Sequence, residues 1–125
     1  MTYTQFVNSV TSEQSKNYEA LIESLSETNE SVNISRLLTG AIGQSSEAGE
    51  YLDIVKKIVF QGKEFDATTK NKLISELGDC IFYFTQSLIA LDVSLEEVIQ
   101  ANVNKLSERY PNGFDFQISE SRYKI

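Results

Sequence analysis

The sequence predicts an all-α fold, an antiparallel four-helix bundle, and three observations carry that expectation. Apolar residues recur at helical spacing almost throughout. No pair of alternating segments flanks a hairpin turn. Proline occurs once, at Pro111, so nothing breaks the long periodic stretches before it. The chain reads as one domain, residues 1–125, with a core of about 34–114, an N-terminal helical segment at 4–28 and a C-terminal tail at 114–125.

The first helical segment, in one or two pieces, carries Phe6, Val7, Val10, Tyr18, Leu21, Ile22 and Leu25 as its apolar stripe. The polar stretch Glu27-Thr28-Asn29-Glu30-Ser31 closes it. A long second helix is expected from Asn33 or Ser35 to about Phe60. Leu37, Leu38, Ala41, Ile42, Leu52, Val55 and Val59 give it a wide apolar face, and Ile54 and Ile58 extend apolar character to the other side. Such a helix is expected to be buried over most of its circumference. Gln61-Gly62-Lys63 stops it, with Gly62 suited to a left-handed cap. A third helix is expected over about 70–91, lined on one side by Leu73, Leu77, Ile81, Phe84 and Leu88. The fourth begins at a capping box between Ser94 and Glu97 and ends near Arg109, before the turn residues Tyr110-Pro111-Asn112-Gly113. Short loops between long helices favour antiparallel neighbours.

Composition narrows the function. The 18 acidic side chains outnumber the 11 basic ones, for a net charge of −7. A surface of that sign repels DNA or RNA, and Lys56-Lys57 is the only adjacent basic pair. No nucleic-acid polymer is therefore expected as partner. Neither is a membrane, since no apolar run approaches the ~18 residues of a spanning helix. The N-terminus lacks the basic start and apolar core of a signal peptide, and Cys80 is alone, so a reducing cytoplasm is the expected location. The chain has no histidine. That absence removes histidine general bases, the Ser-His-Asp triad, and most zinc and di-iron sites.

Two acid pairs repeat one geometry. Glu47 and Glu50 are three apart on the second helix, and Glu76 and Asp79 three apart on the third. Side chains at i and i+3 share a helix face, so each pair aims two carboxylates at one point. Either pair alone is the ordinary mark of a solvated face. Here, however, Glu47 and Glu50 share their stripe with Gly43, Ile54 and Ile58. The second pair is embedded in Leu73-Ile74-Ser75-Glu76-Leu77-Gly78-Asp79-Cys80-Ile81-Phe82. Four carboxylates converging in a bundle need a neutraliser. Hard oxygen ligands in that number suit Mg²⁺ or Mn²⁺ rather than zinc.

The arrangement Glu47-Ala48-Gly49-Glu50, 25 intervening residues, then Glu76-Leu77-Gly78-Asp79 resembles the ExxE…ExxD signature of MazG-like nucleotide pyrophosphohydrolases. The resemblance continues through Tyr83, Asn102, Lys105 and Arg109-Tyr110-Pro111, and is strongest to short single-domain members, including those of phage. Where the family often has two adjacent glutamates at the first pair, the leading position here is Ser46.

The resemblance implies that Glu47, Glu50, Glu76 and Asp79 are the catalytic metal ligands for Mg²⁺. It implies hydrolysis of a nucleoside triphosphate at its α-phosphorus, to monophosphate and pyrophosphate. Tyr83, Asn102, Lys105, Lys57 and Arg109 are the candidate substrate contacts. Tyr83 shares the metal-bearing face, four residues after Asp79. Asn102 falls on the stripe of Leu95, Val98, Ile99 and Leu106, where a core residue belongs, and a buried amide needs partners. Lys105, Lys56, Lys57 and Arg109 supply charge for phosphate, against the plain alternative of solvated cations. Relatives assemble, so a homodimer or homotetramer is expected. The competing expectation is a helical interaction module of the same fold without catalysis.

Overall fold

The computed structural model describes residues 1–121, and it is helical. The chain divides into two compact units, one of Met1–Leu91 and one that begins at Asp92.

In the first unit, the N-terminal segment forms two helices. Helix α1 (Tyr3–Val10) starts at a capping box in which Thr2 Oγ1 accepts from the Gln5 amide (3.2 Å) and Gln5 Oε1 accepts from the Thr2 amide (2.7 Å). A short 3₁₀ turn at Glu13–Ser15 follows, and the Lys16 ammonium donates back to the Asn8 carbonyl at 3.1 Å. Asn17 then caps α2 (Tyr18–Asn29), accepting from the Ala20 amide at 2.9 Å, and α2 lies against α3.

Helix α3 (Ile34–Phe60) begins where the sequence places it, with Asn33 accepting from the Arg36 amide at 3.1 Å. It ends at Gly62, whose φ of 70° lets the Lys63 amide turn back to the Lys57 carbonyl at 3.1 Å. Helix α4 (Ala67–Leu91) starts three residues earlier than periodicity predicts. The Asp66 carboxylate accepts from the Thr69 amide at 2.8 Å, and the Thr69 hydroxyl, only 3% exposed as a residue, donates to the Glu64 carbonyl. This local bonding, rather than an apolar stripe, sets the start.

α3 and α4 pack as an antiparallel pair, and glycines fix the register. A methyl group on Gly40 would run into the Ser87 hydroxyl and the Tyr83 backbone, and one on Gly43 into the Tyr83 ring. Both glycines are buried, so the two backbones approach closely. Gln44 pins the pair, its Nε2 donating to Ser87 Oγ at 3.0 Å and to the Gly40 carbonyl at 3.1 Å.

The expected burial of α3 around most of its circumference does not hold in the single chain. Helix α4 covers one stripe, that of Gly40, Gly43 and Glu47, with Ile54 and Ile58 half-buried on it. The wide apolar face stays open, with Ile42 67% and Leu52 64% exposed, and no large apolar side chain among the described residues is fully buried. No described helix is long and apolar enough to cross a membrane.

In the second unit, α5 (Leu95–Arg109) opens on the predicted capping box: Ser94 Oγ accepts from the Glu97 amide at 3.1 Å, and Glu97 Oε2 from the Ser94 amide at 2.7 Å. The Gly113 amide closes the Tyr110–Gly113 turn on the Tyr110 carbonyl. A short helix, α6 (Phe116–Ser121), occupies the start of the tail, capped by Asp115. The sequence carries no periodic signal long enough to announce it. The last residues of the predicted tail, Arg122 among them, lie outside the described residues.

Candidate functional site

The close approach of α3 and α4 brings acids together across the helix pair. Glu47 and Glu76 are half-buried and Asp79 is exposed. One carboxylate oxygen from each lies within 4.8 Å of the other two, a spacing at which a metal ion can bind all three. Packing depends on the helix face: Glu47 is one turn beyond Gly43, and so sits on the stripe that the glycine opens to α4.

The electrostatic consequence falls on Glu76. Removal from water is the first cause that raises its pKa above the usual 4.5, followed by the contact of its side chain with Glu47 and by the charges of Glu47, Asp79 and Glu50. A divalent cation at this point would offset both the lost hydration and the facing like charges. Glu50 is not one of the three converging acids; it lies one turn further along α3, and its charge reaches Glu76. The donor set is all oxygen, which fits Mg²⁺ or Mn²⁺.

A groove of about 380 Å³ adjoins Glu47. The Tyr83 ring, packed over Gly43 and edge-on to Phe82 at 5.1 Å, forms one wall of it, and Leu38, Ile42 and Ser46 line the rest with Thr39. On the side of Gln44 and Ala48 lies a second groove of about 450 Å³, apolar and lined also by Leu77, Cys80, Ile81 and Phe84. Further along α3 and turned away from that stripe, Asp53 binds two lysines at once: Oδ1 to Lys56 Nζ at 3.1 Å and Oδ2 to Lys57 Nζ at 2.8 Å. These bonds, that to Lys57 first, hold the Asp53 carboxyl below its ordinary pKa, and Asp53 raises that of Lys57, with a smaller contribution from Glu50.

With this geometry in view, comparison with known proteins is decisive on one point. The sequence profile of the MazG nucleotide pyrophosphohydrolase domain matches residues 41–114. The chain belongs to that family. It is also similar to the Gene 37 protein of Mycobacterium phage L5, 42% identical over 74 residues, which are 58% of this chain and 64% of that protein. The match thus spans less than two thirds of the phage protein's length. No solved structure matches the chain significantly.

Within this MazG domain the expected site residues fall into groups. Glu47, Glu76 and Asp79 converge, Glu50 flanks them, and Tyr83 stands beside them over Gly43. Lys57 lies within reach of the charge of Glu50, engaged with Asp53. Asn102, Lys105 and Arg109 belong to the second unit, on one stripe of α5; Asn102 and Lys105 are exposed there and Arg109 is half-buried. Sequence reasoning singled out neither Asp53 nor the pairing of Gly40 with Gly43. Both carry a signal. Asp53 stands three and four residues before two lysines, the spacing of helical ion pairs, and the glycines stand three apart on the acid-bearing stripe.

Proposed function

We propose that this MazG domain is a Mg²⁺-dependent hydrolase that cuts nucleoside or deoxynucleoside triphosphates into monophosphate and pyrophosphate. The observation that carries the proposal is the convergence of Glu47, Glu76 and Asp79 within 4.8 Å across two helices. With Glu50 beside them, these four acids are the proposed ligands of Mg²⁺, or of Mn²⁺ in its place. When bound, the cation supplies Lewis acidity and offsets the charge of the triphosphate.

The remaining chemistry belongs to the chain. A water oxygen bonds to the α-phosphorus, and the bond from that phosphorus to the α,β-bridging oxygen breaks. Pyrophosphate leaves with the electron pair of that bond, and the proton of the water passes to one of the glutamates of the set. Tyr83 and the groove over Gly43 receive the nucleoside. Lys57 meets phosphate charge, and Asn102, Lys105 and Arg109 complete the contacts to sugar and phosphate, as the family pattern implies. Assembly as a homodimer or homotetramer is part of the proposal. It is supported by the lack of any fully buried large apolar side chain among the described residues.

The test is a panel of eight common NTPs and dNTPs with Mg²⁺, resolving pyrophosphate from orthophosphate, with Glu50→Gln and Asp79→Asn alongside. Pyrophosphate plus monophosphate, lost in both variants, is the expected result. Orthophosphate release would place the attack at another phosphorus. A folded protein with no turnover on any nucleotide would favour a non-catalytic helical module.

A further inference from the structure

We infer that two copies of this chain pair through one open face of the α3–α4 pair, so that two chains together complete a four-helix bundle. The inference rests on the assembly proposed above and gives it a surface. Three observations carry it.

The first is a second seam on each helix. Along α3, Ala41, Gln44, Ala48, Leu52, Val55 and Val59 recur every three or four residues, and along α4 so do Leu73, Leu77, Ile81, Phe84, Leu88 and Leu91. This is the spacing at which one helix packs along another. Neither seam is the one that the two helices use for each other, which runs through Gly40 and Gly43 on α3 and Tyr83 and Ser87 on α4. Both seams look to the same side, since Gln44, Ala48, Leu77, Ile81 and Phe84 line one apolar groove of about 450 Å³. Leu52, Val59, Leu77, Ile81 and Leu91 remain exposed along it.

The second is charge. Neither seam holds an acid or a base, in a chain of net charge −7. Two copies repel over most of their surface, and on this face they meet without that repulsion. The one amide on it, that of Gln44, donates to Gly40 and Ser87 within the chain. Ser46, which lines the groove over Gly43, stands two residues from Ala48 and so on the opposite side of α3. Pairing through the seams therefore leaves the groove over Gly43 open.

The third is size. From Ala41 to Val59, and from Leu73 to Leu91, each seam runs roughly 27 Å. Two helices side by side, each about 10 Å across, offer about 500 Å² per copy and so about 1,000 Å² in a pair, the area at which specific interfaces begin. An occupant has to match that length and be two helices wide. Helix α1 spans roughly 12 Å, α2 roughly 18 Å, α5 roughly 22 Å and α6 roughly 9 Å. Among the described elements, the α3–α4 pair of a second copy alone is both long enough and double, and pairing like with like closes the assembly on a two-fold axis.

Sedimentation velocity over a range of concentrations tests the face, with circular dichroism as the check on folding. The wild type is expected to sediment as a dimer or tetramer. Ile81→Glu puts an unpaired carboxylate from each copy into the seam and is expected to weaken association roughly a hundredfold. Phe82→Glu, five residues from Leu77 and so on the other side of α4, is expected to leave association unchanged. Cys80 gives a readout that needs no substitution, because it lines the same groove and is half-buried in the single chain. Its reaction with a maleimide is expected to slow several-fold as rising concentration carries the chain from monomer to dimer. A monomeric wild type would overturn the proposed assembly and the face together. Association at wild-type strength in Ile81→Glu, or a Cys80 equally reactive in monomer and dimer, would overturn the face alone. Association lost in Ile99→Glu but kept in Ile81→Glu would put the second copy's α5 at the interface instead.

Discussion

Two charge clusters involve helix α3, and they are opposite in kind. Glu47, Glu76 and Asp79 gather like charges across two helices, and removal from water together with those charges pushes Glu76 toward its neutral form. Asp53, Lys56 and Lys57 gather opposite charges within a single helix, and Asp53 and Lys57 are favoured in their charged forms. The first arrangement requires tertiary packing and opposes it, so it needs a ligand to make sense. The second forms from local sequence alone and is at rest. An unsatisfied cluster marks where something binds; a satisfied one beside it asks for no ligand.

The largest effect expected from this contrast is on turnover. Neutralising one of the converging acids, as in Asp79→Asn, is expected to lower kcat roughly 10²–10³-fold, the scale of losing one electrostatic stabiliser at a reacting centre. Steady-state kinetics with a saturating triphosphate reads this directly. Equal turnover in wild type and variant would mean that the convergence is not catalytic.

The next effect is on stability, and pH gives its sign. The raised pKa of Glu76 means that the folded chain holds this proton more tightly than the unfolded chain does. The associated stability is therefore fully present below about pH 4.5, the unfolded value, and is lost as pH rises through the folded value. In EDTA, the melting temperature should fall across that window, and Glu76→Gln should flatten the fall. Saturating Mg²⁺ should remove it and add roughly 2.7 kcal/mol at a hundredfold excess over Kd. A melting curve indifferent to both Mg²⁺ and the Glu76 substitution would break the contrast between the clusters.

Gly43→Ala sharpens it, because it tests the packing that creates the acid cluster. The added methyl meets the Tyr83 ring, so ring or helix must shift, at a cost of typically 1–3 kcal/mol in denaturant unfolding. The displaced Tyr83 wall should also raise KM. Full stability in Gly43→Ala would show that the two helices can separate without loss.

How much of this was legible in the sequence follows the same division between local and tertiary causes. The helix ends at Asn33, Gly62 and Ser94 come from short-range bonds of cap residues, and the sequence places them closely. The acid pairs were legible because i, i+3 spacing is a local fact, and the family signature ordered them. That α3 meets α4 on the stripe of Gly43 and Glu47 was implied by the acid pairs; that the wide apolar face would stay uncovered was not. The wide apolar face suggested a helix buried nearly all round, yet the packed stripe is the one with Gly40 and Gly43, where absence of a side chain permits contact. Hydrophobicity marks faces that need covering; it does not say which partner covers them. Asp53 escaped notice because a carboxylate three and four residues before two lysines is an ordinary feature of a solvated helix surface.

The smallest effect expected is the most discriminating for that second cluster. Exposed i, i+3 and i, i+4 ion pairs contribute little to stability, so Asp53→Asn should lower the melting temperature by no more than a few degrees. A larger fall would make the clamp a structural staple of the C-terminal part of α3. A small fall of the same size with and without Mg²⁺ would set this cluster apart from the acids, whose contribution is expected to move with the cation. The satisfied cluster would then be complete in the chain alone, and the crowded one only with its ligand.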